Sequence, residues 1–129
     1  MSAERYQVGQ LWTFADAPLS DSRLIIGALD DLPDFGLVVS IAVTAMPVDG
    51  IEPGTRDIIG IDHAPMSPEA LDACLLNIVG FSPPPKNFET LRASWLEAHA
   101  KEGAGVFTVS VADLISIYED GIRQIRSGG

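Results

Sequence analysis

The stretch Asp62-His63-Ala64-Pro65-Met66-Ser67 gathers the side chains in this sequence best suited to chemistry. An imidazole that titrates near neutral pH, a carboxylate beside it and a hydroxyl four residues on could act as base, orienting group and nucleophile. The spacing works against that trio. Adjacent strand residues point to opposite faces, so Asp62 is misplaced to orient the His63 ring. Ser67 stands directly before Pro68-Glu69, where its hydroxyl serves as a helix cap. His63 is therefore expected to pack at a sheet end with one ring nitrogen bonded to backbone, and Asp62, His63 and Ser67 form the candidate site.

Other residues offer less. His99 follows Trp95 by four positions and lies one place past an apolar helical stripe, where a histidine stacks at a boundary. Metal ligation needs several ligands in register, yet the chain has two histidines, 36 residues apart, and one cysteine, Cys74, on a core-facing repeat. No metal site is expected. Asp30, Asp31 and Asp34 share a loop but lack the alternating ligands and distal Glu of a calcium loop. No Gly-rich phosphate loop, GxSxG elbow or HExxH pair occurs, so no catalytic residue and no cofactor is assigned. Trp12, with Phe14 and Trp95, could line a ligand or peptide cleft, although aromatics in so short a chain are expected to fill its core. Ser127-Gly128-Gly129 has the ending of ubiquitin-like carriers, but it follows a long helix foreign to that fold and reads as a frayed end.

The elements that must position these residues change character near Pro65. Before it, apolar residues alternate with period two; after it, they recur at helical spacing. Strands are expected at Gln10 to Ala15, with Trp12 and Phe14 on one face, and at Ser22 to Leu29. Asp30 to Gly36, with three aspartates, a proline and a glycine, reads as a loop. The third strand has Leu37, Val39, Ile41, Val43 and Ala45 on one face and Val38, Ser40, Ala42, Thr44 and Met46 on the other. Asp57 to His63 is the fourth, with Ile59, Ile61 and His63 sharing a side. A helix from Ser67 to about Val79 would bury Leu71, Cys74, Leu75 and Ile78, with Gly80 to end it. After the stiff Phe81-Ser82-Pro83-Pro84-Pro85 connector, a second helix runs from an Asn87 cap to about Lys101 with Phe88, Leu91, Trp95 and Ala98 inward. Gly105 to Val109 is expected as a short fifth strand. It leads to a capping box, Ser110 with Asp113, and a last helix to about Ile125. That helix presents Val111, Leu114, Ile115, Tyr118, Ile122 and Ile125 to the core and pairs Glu119 with Arg123.

Composition narrows the partners. The 129 residues carry 18 acids against 8 bases for a net charge of −10, ten acids and three bases falling in residues 1–64. Such a surface repels phosphate backbones and anionic lipid, so nucleic acid and membranes are disfavoured, and its acidic face suits a basic protein partner. The longest nearly apolar run, Gly36 to Val48, is 13 residues, short of the roughly 20 of a spanning helix. No secretory leader is read in the first 20 residues, and a single cysteine agrees with a reducing compartment; a cytoplasmic location is expected.

Tyr6-x-Val8-Gly9-x-x-Trp12, Ser22-x-Leu24-x-Ile26, His63-x-Pro65-x-Ser67-x-x-Ala70-Leu71, Trp95 and Gly105-x-Phe107 together resemble a group of small bacterial proteins without an assigned activity. The resemblance runs over nearly the whole chain and implies one compact domain but no chemistry. Members of the group carry an Arg and a Glu after the first strand, where this chain has Phe14 to Pro18. The expectation is a single α+β domain over residues 1–129. It has a four- or five-stranded, mainly antiparallel sheet, open or curled toward a small barrel, packed by two or three helices. A non-enzymatic interaction module of inhibitor or immunity type fits best; the alternative is a small-molecule-binding protein or hydrolase centred on His63.

Overall fold

A computed structural model describes residues 5–50, 52 and 54–127 of the chain. The Gly128-Gly129 end singled out above lies outside the described residues. Strands β1 (Gln10–Phe14), β2 (Arg23–Leu32), β3 (Gly36–Asp49) and β4 (Arg56–Met66) come first, followed by α1 (Pro68–Cys74), β5 (Leu75–Phe81), α2 (Phe88–Glu102) and α3 (Val111–Ser127). The sheet order is β4-β3-β2-β1-β5 with every neighbour antiparallel, so it stays open between two edges, β4 and β5, and does not close as a barrel. This is an α+β fold. Among the described residues, no helix is long and apolar enough to cross a membrane.

Helices cover both faces. On one, Leu24, Ile26, Val39, Ile41 and Val43 pack with Leu71 and Cys74 of α1 and Val111, Leu114 and Ile115 of α3. On the other, Ile25, Ala28 and Ala42 meet Phe88 of α2. The first is the larger core, and it holds Trp12 and Phe14.

Two bulges interrupt β5 where it pairs with β1, and three more, in β2, β3 and β4, decide which residue reaches which face. Between Ile26↔Ile41 and Ala28↔Ser40, β2 inserts Gly27. Between Val43↔Ile61 and Met46↔Ile59, β3 gains a residue near Ala45, whose φ of 56° is left-handed. Met46 and Val48 thereby join Val43 in the large core instead of facing away from it. Between Ile41↔Ala64 and Val43↔Ile61, β4 gains one at Asp62-His63. Ile61 and Ala64 stay in the large core while His63 turns to Phe88, so Ile61 and His63 do not share a side.

Several boundaries depart from the sequence pattern. The Asp30–Gly36 loop shrinks to a turn at Leu32–Phe35, closed by Phe35 N–H to Leu32 O at 3.2 Å, and Asp30 and Asp31 remain in β2. Pro33 presets the turn's first central residue, and Gly36 takes a φ of 72° that a side chain would oppose. The helix expected to reach Val79 stops at Cys74, where Leu75 is already extended at φ −75°, ψ 142°. Leu75–Phe81 then pairs with β1 and is the fifth strand. Gly105 to Val109 is not a strand; Phe107 alone bridges Met66. In α2 the inward side is Phe88, Arg92, Trp95 and His99, and Leu91 is exposed, because Arg92 finds a carboxylate on the sheet. The Asn87 side chain makes no cap bond. In α3, Ser110 Oγ does cap, accepting from Asp113 N–H at 3.1 Å. Ile125 projects into solvent, Glu119 reaches Arg56, and Arg123 pairs with Asp120.

Candidate functional site

His63 lies under α2, on the smaller-core face of the sheet. Its Nε2 is 3.1 Å from Ser40 Oγ, which β3, the neighbouring strand, presents from the same face. The ring meets Phe88 edge-on at 5.3 Å and Trp95 at 6.5 Å. Ser40 has no exposed surface, and His63 retains 9%. Burial lowers the imidazole's affinity for a proton, and the Arg92 guanidinium lowers it further against Glu89 and Asp30. The ring's bonded partner is therefore a serine side chain and not the backbone expected for it.

Gly27 makes the site possible. A β-carbon there would lie 2.2 Å from Phe88 Cζ, so the bulge that inserts a glycine also opens the seat for the ring beside His63. Farther along α2, Arg92 clamps Asp30 with two nitrogens, Nε to Oδ2 at 3.0 Å, and its Nη1 reaches Glu89 at 3.2 Å. Trp95 stacks on His99 at 5.5 Å, and His99 continues to Phe35 at 5.1 Å. Trp95 Nε1 donates to Gly105 O at 3.0 Å, and His99 Nδ1, facing Ala104 O at 2.9 Å, is the protonated nitrogen. A file of five rings thus runs from buried Phe88 out to half-exposed Phe35.

The other predicted site residues are not drawn into this cluster. Among the described residues, no hydrogen bond or ion pair joins Asp62 to His63. Ser67 Oγ accepts from Ala70 N–H at 3.2 Å and caps α1, as its place before Pro68 implied. Trp12 is on the opposite face, donating from Nε1 to Gln10 Oε1 at 2.9 Å, with Tyr6 at 5.9 Å and the Arg5 guanidinium 5.2 Å away. Tyr6 donates to Asp72 at 2.6 Å, and burial with that carboxylate pushes its phenol well above the usual range. Trp12 and Trp95 therefore line no common cleft. Cys74 is buried, which raises its thiol's pKa. Among the described residues, no group of three or more His, Cys, Asp or Glu could hold a metal ion.

Chemically, the His63–Ser40 pair can share a proton and fix the ring, but the Ser40 hydroxyl has no surface through which to meet a substrate. Ser40, Gly27 and Arg92 were not singled out from sequence. An isolated glycine within the β2 pattern signals a bulge and could have exposed Gly27. Nothing local ties Arg92 to Asp30, 62 positions away. No family model matches the chain, and neither a curated protein nor a solved structure matches it.

Proposed function

We propose that this protein is a non-enzymatic interaction module, of inhibitor or immunity type, whose acidic surface meets a basic protein partner. The support is the disposition of charge at the two ends of the sheet. At the β2–β3 turn, Arg92 and His99 come to meet Asp30 and Asp34. At the opposite end, Asp16, Asp21 and Glu52 are exposed, while Arg23 turns to the carbonyls of Ser20 and Ser22. Arg5, Arg56, Arg92, Lys101 and Arg123 pair with carboxylates of the same chain, and the exposed acids at this end remain to attract a basic surface.

Capture from a lysate with the wild-type chain should yield basic partners that elute as salt rises. A chain carrying Asp16→Asn, Asp21→Asn and Glu52→Gln should lose them, and one carrying Asp31→Asn and Asp34→Asn should keep them. Equal capture by all three would overturn the reading. The alternative, a small-molecule site or hydrolase at His63, draws on the 3.1 Å contact with Ser40. Hydrolysis of a p-nitrophenyl ester that disappears in a folded Ser40→Ala chain would favour it over the first.

A further inference from the structure

We propose that β5 is the edge through which two copies of this chain pair, antiparallel about a two-fold axis, independently of the acidic end. On its inner side β5 pairs with β1, and Asn77 turns both backbone polar groups inward. Its N–H donates to Thr13 Oγ1 at 3.1 Å, and that hydroxyl donates to Asn77 O at 3.4 Å. Among the described residues no strand lies beyond β5, so the outer edge of Leu75–Phe81 leaves backbone N–H and C=O groups without a ladder partner. The groups left open there are those of an extended backbone, so the occupant they fit is another strand.

Side chains say which strand. Leu76 (56% exposed), Ile78 (45%), Val79 (50%) and Phe81 (73%) stand open on β5, with Val8 (58%) beside them. Together they expose roughly 500 Å² of apolar surface, at the upper end of what a monomer carries. Two copies would bury on the order of 1,000 Å², the size at which an interface becomes specific. Leu75–Phe81 contains no charge and no proline, two of the usual guards of an edge; its bulges are the guard it does carry. In a chain of net charge −10, copies repel each other wherever carboxylates face, and this edge is free of them. The opposite edge, β4, carries Arg56, Asp57 and Asp62, and its end is covered where Phe107 bridges Met66. Pairing β5 with β5 is isologous and closes on itself, and the two bulges in β5 limit further growth.

Sedimentation equilibrium of the full chain should give twice the 13.7 kDa mass at high concentration and the single mass on dilution. Ile78→Lys, which sets two like charges across the axis, should weaken association on the order of a hundredfold with the circular dichroism unchanged. Ile58→Lys, on the β4 edge, should leave it intact. Should Ile78→Lys fail to fold, hydrogen exchange of wild type decides: amides within Leu75–Phe81 should gain protection as concentration rises, and no change in any of them would overturn the proposal. A wild-type monomer at every concentration, or a dimer that persists in Ile78→Lys and is lost in Ile125→Lys, would overturn the proposal.

Discussion

The packing around His63 turns on two residues, one for its missing side chain and one for its missing charge. Gly27 leaves space that Phe88 fills completely, and a methyl group there would overlap the ring. Gly27→Ala should destabilise the fold by about 1–3 kcal/mol in urea unfolding, as overpacking does. Phe88→Leu in the same chain should recover part of that loss; strictly additive losses would show that the overlap does not govern. His63 is kept neutral by burial, with Arg92 adding to the effect. The folded chain therefore binds fewer protons than the unfolded one, whose histidine titrates near 6.5. Stability is level above that pH and falls as pH drops through it toward the lower folded value. Carboxylates also titrate on the way down, so the decisive quantity is wild type minus His63→Gln between about pH 7 and 5. Wild type should lose more stability over that interval. Parallel curves would mean that the ring takes a proton equally well in both states.

Among the elements, the bulges do what a regular strand cannot. Each shifts the side-chain alternation by one, bringing Met46 into the large core and His63 under α2. The bulge near Ala45 holds an alanine at φ 56°, tied by a hydrogen bond from Ser22 Oγ to Ala45 O. A left-handed residue with a β-carbon costs about 1–2 kcal/mol, and glycine gives back part of the gain as backbone entropy. Ala45→Gly should thus raise stability by about 0.5–1 kcal/mol; a loss in urea midpoint at constant slope would refute the strain argument. The same shifts explain what sequence could reveal. Period two and period 3.6 locate β1 to β4 and α3 within a few residues, because one buried face dictates each. They are silent on bulges, which break the period without changing composition, and hence on the Ser40 contact. Leu71, Cys74, Leu75 and Ile78 satisfy a helical spacing, yet Leu75 leaves the helix because β1 presents an edge to pair with. The stripe Phe88, Leu91, Trp95 and Ala98 expected for α2 differs from the observed one for a related reason: Arg92 turns toward the sheet, where the Asp30 carboxylate pairs with it.

At the scale of the molecule, attraction and repulsion between charges differ in range. Arg5–Asp72, Arg56–Glu119, Lys101–Glu97 and Arg123–Asp120 are contacts of 2.6–3.5 Å between partners that all reach solvent, each worth about 0–1 kcal/mol. The surplus of ten negative charges acts instead across the whole surface, over separations comparable with or beyond the Debye length of about 8–10 Å at 0.1–0.15 M salt. Salt therefore weakens the repulsion before the pairs. Raising sodium chloride from low concentration should lift the melting temperature by about 2–6 °C, the equivalent of roughly 1 kcal/mol for a chain of this size. Replacing Asp16, Asp21 and Glu52 by their amides should raise the low-salt melting temperature and shrink the response to salt, since those exposed carboxylates add to the net negative charge. A melting temperature that falls with salt would assign the net electrostatic stabilisation to the pairs. It would also remove the unbalanced acidic end on which recognition of a basic partner depends.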